Sequence, residues 1–199
     1  MTIANKITLF RFALIPIMTI IIYVEPLNET LSFFNSISIK QLVLGILFII
    51  GSFSDFLDGY LARKLNQVTT FGKFLDPIAD KVLVILALLY LNNEATSFVP
   101  LFVVVIVVLR EFIVTAVRLV TAEKGIVISA SIFGKIKTVT QMVAIILLFF
   151  NDFGIKPFYS SDFISLSLGS IILYVSVVAV ILSGYDYVYK SRKYLFESI

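Results

Sequence analysis

The chain has 199 residues, 59% of them hydrophobic and 15% charged, with a mean hydropathy of +1.03 and a formal net charge of +3. Soluble domains carry about 25% charged residues, and one domain of this length could not hide so much apolar surface; the composition excludes an ordinary water-soluble fold and points to an integral membrane protein. There is no Cys and no His, which excludes disulfides, cysteine nucleophiles and histidine acid–base chemistry and leaves zinc without its usual ligands, so a metal bound here is expected to be a hard, oxygen-ligated cation such as Mg²⁺, Mn²⁺ or Ca²⁺.

Six apolar spans follow one another at about 7–24, 41–62, 74–92, 98–119, 136–150 and 164–189, each near the ~20 residues that a bilayer core requires. The first is preceded by no basic leader and followed by no small-residue cleavage site, so it is expected to be retained. No repeat, linker or low-complexity tract divides the chain. The expectation is an all-α integral membrane protein of six transmembrane helices, a single domain over 1–199.

Of the 16 Lys and Arg residues, 14 fall on one side of these spans and only Lys40 and Lys156 on the other. The excess of positive charge on cytoplasmic loops then places both termini and the loops around 63–73 and 120–135 in the cytoplasm. The opposite loops carry Glu25, Glu29, Glu94, Asp152 and Asp162. Trp is absent, so Tyr185, Tyr187, Tyr189 and Tyr194 are expected to form the aromatic belt at the last cytoplasmic boundary.

Near the cytoplasmic ends of the second and third spans stand Asp55, Asp58, Asp76 and Asp80. Ionisable groups in membrane helices are costly and usually functional. Spacings of three and four put each pair on one helix face, and a hairpin through 63–73 can bring all four carboxylates together at a cytoplasmic cavity. Close carboxylates repel and some would protonate unless a cation stabilises the charged form; two divalent ions bridged by shared carboxylates suit phosphoryl chemistry. A proton relay or interhelical hydrogen bonding is the plainer use of the same acids. Gly59, Ala62 and Gly72 leave room either for close helix packing or for a ligand. Arg63 ends the run as a fork for a diphosphate oxygen or as a snorkelling cation.

The segment Asp55-Phe-Leu-Asp58-Gly59-Tyr-Leu-Ala62-Arg63, followed after eight residues by Gly72-Lys-Phe-Leu-Asp76-Pro-Ile-Ala-Asp80, resembles the signature D-x-x-D-G-x-x-A-R…G-x-x-x-D-x-x-x-D of the CDP-alcohol phosphotransferases, and matches all eight fixed positions and the spacer. The resemblance implies a six-helix membrane enzyme, usually a homodimer, that displaces CMP from a CDP-alcohol with the hydroxyl of a second alcohol. It implies that Asp55, Asp58, Asp76 and Asp80 hold two Mg²⁺ or Mn²⁺ ions and that Asp80 is the general base. Asp58, Gly59, Ala62, Arg63 and Gly72 would lie against the CDP donor, with Thr8 and Arg11 held more loosely to the nucleotide or the interface. Nothing in the spacing itself chooses Asp80 over Asp76 as the base.

A second basic set lies on the same side. Arg110 and Arg118, eight apart, fall within about 80° of one helix face, and Lys135 and Lys137 open the fifth span. A phosphate on the acceptor alcohol needs such groups where a neutral alcohol does not; anionic lipid heads or snorkelling are the competing uses. The stretches Asn5–Arg11, Arg110–Arg118, Gly134–Gln141 and Ser183-Gly184 resemble the branch of that family formed by bacterial phosphatidylglycerophosphate synthases. That resemblance implies transfer of a phosphatidyl group from CDP-diacylglycerol to sn-glycerol 3-phosphate in anionic phospholipid synthesis at the bacterial plasma membrane. Arg110, Arg118, Lys135 and Lys137 would hold the acceptor phosphate, and Glu111 would orient Arg110 or another polar neighbour. Another acceptor within the family (serine, inositol phosphate or phosphatidylglycerol) is the nearer alternative. A divalent-cation transporter is the alternative of another class, disfavoured because the acids sit at one end of two helices with Arg63 beside them. No nucleic-acid partner is expected.

Overall fold

The computed structural model describes residues 3–31, 37–64, 70–93, 99–125, 132–155, 157–160 and 165–196; side chains are described for these except 3–6, 31, 55–64, 70–74, 76, 159–160, 165 and 193–196. Six helices account for nearly all of it: α1 (Ile3–Ile22), α2 (Ile39–Lys64), α3 (Thr70–Asn93), α4 (Leu101–Glu123), α5 (Ile132–Phe149) and α6 (Leu168–Phe196). Each coincides with one of the six apolar spans. Each extends past its span at the basic end, because the polar residues there cost little in helical conformation once they reach water or a polar cavity.

Pairing among the helices is uneven. Among the described residues α5 packs most extensively on α6, α4 on α6, and α1 on both α2 and α3. The sequence makes α2 and α3 direct neighbours across a short hairpin. Among the described residues they touch, and α1 lies against each more broadly than they lie against each other. Gly51 of α2 explains the close approach there: a Cβ at this position would stand 2.8 Å from Leu83 Cδ2 of α3 and 3.5 Å from Leu14 Cδ1 of α1. The core is a continuous set of fully buried apolar side chains, including Met18, Phe48, Leu88, Val103, Ile145 and Leu173, one from each helix in turn. Phe149 stacks on Tyr90 at 5.8 Å and tilts against Phe48 at 5.9 Å.

The exterior is as apolar as the core. Ile20 of α1, Phe53 of α2, Phe102 and Phe112 of α4, Val139 of α5 and Val178 of α6 are each more than half exposed, and Leu89 of α3 is nearly so. Exposed apolar surface on this scale belongs to a protein seated in lipid. Among the described residues two helical stretches, Ile132–Phe149 and Leu168–Arg192, are long and apolar enough to cross a membrane by length and composition.

The loops away from the basic ends hold small structures that the sequence leaves as plain loop. Strands β1 (Thr30–Leu31) and β2 (Ile37–Ser38) pair antiparallel, as do β3 (Tyr159–Ser160) and β4 (Ser165–Leu166). Asn151, Asp152 and Phe153 all take positive φ, between 47° and 53°, a conformation Asn and Asp tolerate and Phe does not readily adopt. The buried Asp152 holds this turn, its Oδ1 accepting from the Gly169 N–H at 2.6 Å near the start of α6. Lys40, also buried, donates from Nζ to the Ile22 carbonyl at 2.8 Å and so caps the end of α1.

Candidate active site

The inward stripe of α4 is built of Val103, Val104, Val107, Val114, Val117 and Thr121. Arg110, Glu111 and Arg118 fall among these positions, so the stripe turns from apolar to charged along its length. On α5 the buried stripe of Ala144, Ile145 and Leu148 likewise begins with Lys137 and Gln141. The facing stripe of α6 carries Ser176, Ser183, Tyr187 and Ser191, all buried. Small residues there admit the long cations: Gly184 has room for the Arg110 side chain, whose Cγ would lie 3.3 Å from a Cβ at that position.

Glu111 is the hub of this region. Its Oε1 accepts from Arg110 Nη1 at 2.9 Å and pairs with the Lys137 ammonium. All three side chains are only 11–12% exposed. Arg110 Nε donates to Ser183 Oγ at 3.0 Å. Thr115 Oγ1 donates to the Glu111 carbonyl at 2.6 Å and accepts from the Lys81 ammonium. Arg118 Nη2 donates to Tyr187 Oη at 2.6 Å.

A cavity of about 510 Å³ opens over this network. Its wall combines Pro77, Asp80 and Lys81 of α3, Arg110, Glu111 and Arg118 of α4, Gly134, Lys135, Lys137, Thr138 and Val139 of α5, and Tyr187 of α6. Five cations against two carboxylates make this an anion site, and the first turns of α5 add the positive end of a helix dipole. A neighbouring hollow of about 280 Å³ between α3 and α4 shares Pro77, Lys81 and Glu111 but is otherwise lined by apolar groups such as Ile78, Val82, Ile85 and Phe112. A charged cavity that continues into an apolar one suits an amphipathic substrate.

The structure therefore gathers Asp80, Arg110, Arg118, Lys135 and Lys137, five residues singled out in the sequence, on one cavity wall. Thr8 and Arg11 are fully buried on α1. Asp55, Asp58, Gly59, Ala62 and Arg63 lie on α2, and Gly72 and Asp76 on α3; their side chains are outside the described residues. Among the described residues no three acidic side chains gather for a metal ion, and of the four acids only Asp80 is described. The donor chemistry nonetheless fits: four carboxylates, without Cys or His in the chain, are the ligand set of Mg²⁺ or Mn²⁺.

Two cavity residues escaped the sequence reading. Lys81 follows Asp80 directly and was only one cation among many. Tyr187 looked like part of an aromatic belt, but it is 2% exposed and faces the cavity, while Tyr185 and Tyr189 are exposed and stack on each other at 5.9 Å. Helical spacing was the available signal: 185 and 189 share a face, whereas 187 falls on the opposite one with Ser183.

Comparison with known proteins agrees with this arrangement. The family described as CDP-alcohol phosphatidyltransferase matches residues 1–182. The CDP-diacylglycerol–glycerol-3-phosphate 3-phosphatidyltransferase of Bacillus subtilis (strain 168) is 43% identical over 194 residues, covering 94% of this chain and 93% of the relative. Proteins of the same name from Wigglesworthia glossinidia brevipalpis (34% identical; 100% and 99% covered) and Rickettsia bellii (strain RML369-C) (35%; 96% and 95%) are similar over nearly their whole length. On its sequence, its helical build and these matches, the chain belongs to the CDP-alcohol phosphatidyltransferase family.

Proposed function

We propose that this protein transfers the phosphatidyl group of CDP-diacylglycerol to sn-glycerol 3-phosphate, releasing CMP and forming phosphatidylglycerol phosphate for anionic phospholipid synthesis. The observation that carries the reading is the single cavity wall shared by Asp80 and the four cations Arg110, Arg118, Lys135 and Lys137. A carboxylate able to take a proton stands beside groups able to hold a phosphate, as an acceptor with one hydroxyl to react and one phosphate to anchor requires.

In this reading all six helices cross the bilayer of a bacterial plasma membrane, with both termini and the cavity on the cytoplasmic side. The 14-to-2 distribution of Lys and Arg supports that orientation. The chain is one domain and works as a homodimer. CDP-diacylglycerol approaches from the inner leaflet with its tails in lipid. Asp58, Gly59, Ala62, Arg63, Gly72 and Thr8 border its nucleotide and diphosphate. Asp55, Asp58, Asp76 and Asp80 would hold two divalent ions, Mg²⁺ or Mn²⁺; when bound, such ions neutralise negative charge on the reacting diphosphate.

Arg110, Arg118, Lys135 and Lys137 clamp the acceptor phosphate, so that its free hydroxyl faces the donor. That hydroxyl oxygen forms a bond to the phosphorus bearing diacylglycerol while the bond from this phosphorus to the CMP oxygen breaks. Asp80 takes the hydroxyl proton, and CMP leaves as an anion without needing an acid. Binding both substrates in line supplies much of the rate, and the fixed cations supply most of the rest. An acceptor panel tests the proposal: purified protein with CDP-diacylglycerol and, separately, sn-glycerol 3-phosphate, serine, inositol phosphate or phosphatidylglycerol. Product is expected only with sn-glycerol 3-phosphate; product from another acceptor alone would reassign the acceptor, and none at all would remove the reading.

A further inference from the structure

Arg110 and Arg118 are separated by about 12 Å of rise along α4, yet one side chain from another helix meets both. The Tyr187 ring centroid lies 6.0 Å from Arg110 Cζ and 5.1 Å from Arg118 Cζ, and Tyr187 Oη accepts from Arg118 Nη2 at 2.6 Å. The ring is 2% exposed and so is held by the packing of α6, whereas Arg118 is exposed. A long exposed arginine carries considerable rotamer entropy, which a phosphate ligand must remove on binding unless the protein has already done so. Guanidinium recognition of phosphate is also directional, since the planar fork must present two N–H groups together. A buried ring with a hydroxyl acceptor at its edge sets that plane, and its face attracts both cations.

We propose that Tyr187 is a positioning residue for the acceptor subsite: it presets the Arg118 fork and keeps Arg110 beside it before the phosphorylated acceptor enters. The inference rests on the reading of the cavity given above. Its consequence is specific to one substrate, because Tyr187 acts on the acceptor cations and not on the donor residues of α2.

The test uses the full-length protein in mixed micelles with CDP-diacylglycerol and a titration of sn-glycerol 3-phosphate. Tyr187→Phe keeps the ring and removes the hydroxyl; it should raise the acceptor KM about tenfold, the scale of a lost hydrogen bond to a charged group, with kcat and the donor KM changed less than about twofold. Adding Tyr187→Phe to Arg118→Ala should change nothing further, because both remove one interaction. Tyr189→Phe, on the exposed face of α6, should leave all three constants as they are. An unchanged acceptor KM in Tyr187→Phe, equal rises in both KM values, or additive effects in the double variant would overturn the inference. Absence of product from the wild-type protein would overturn the functional reading and this inference with it, and is thereby distinguishable.

Discussion

The Lys137 ammonium of α5 pairs with the Glu111 carboxylate of α4, and the same carboxylate oxygen receives Arg110 Nη1 at 2.9 Å. An acid at the centre of an anion site sacrifices some attraction for the ligand. In return it holds two cations of different helices at a fixed separation and removes their mutual repulsion while the cavity is empty.

Glu111→Ala is therefore expected to lower stability by roughly 1–3 kcal/mol, less than a fully buried pair would lose because these groups line an open cavity. It should also cut turnover strongly, since both cations are released from their positions. Thermal unfolding in detergent and a steady-state assay measure the two effects, with Glu111→Asp expected to fall between the variant and the wild type.

Asp80→Asn removes the proposed proton acceptor and keeps the side chain's shape. Turnover should fall by about 10²- to 10⁴-fold, the usual contribution of a general base, while the protein still folds and binds nucleotide. Near-normal turnover would move the base elsewhere.

Removal of divalent cations with EDTA should abolish activity, and Mg²⁺ or Mn²⁺ should restore it. Activity that survives exhaustive chelation would exclude the four aspartates as a metal site and leave the proton-relay use of these acids.

Arg118→Ala should raise the KM for sn-glycerol 3-phosphate by at least about tenfold, with a smaller effect on that for CDP-diacylglycerol. The reverse pattern would transfer Arg118 to the donor.

The turn after α5 makes a prediction about stability alone. Asp152→Ala loses the hydrogen bond to the Gly169 N–H at 2.6 Å and is expected to cost about 1–2 kcal/mol. Gly169→Ala would put a Cβ 2.7 Å from Asp152 Oδ1 and 3.0 Å from Leu148, and should cost about 1–3 kcal/mol. The double variant should lose less than the two together, because both act on one contact; chemical denaturation of the three variants checks this.

The order and number of helices, and the gathering of charged residues near one end of them, follow from the sequence by itself. These are local or summed properties: runs of apolar residues long enough to span lipid, basic residues gathered at alternate ends, and acids at helical spacing near them. Arg110 and Arg118 could be placed on one face of α4 because helical geometry relates residues eight apart without any knowledge of the fold. What the sequence left open was which helices meet and which side chains meet between them. Only the packing of α4 and α5 against α6 puts Glu111 between Arg110 and Lys137, and only the rotation of α6 turns Tyr187 into the cavity while its neighbours Tyr185 and Tyr189 face outward. The contacts between helices at this site join residues from 26 to 73 positions apart, and no local pattern encodes them. They depend on how small residues such as Ser183 and Gly184 let one helix approach another, which is decided when the helices pack together.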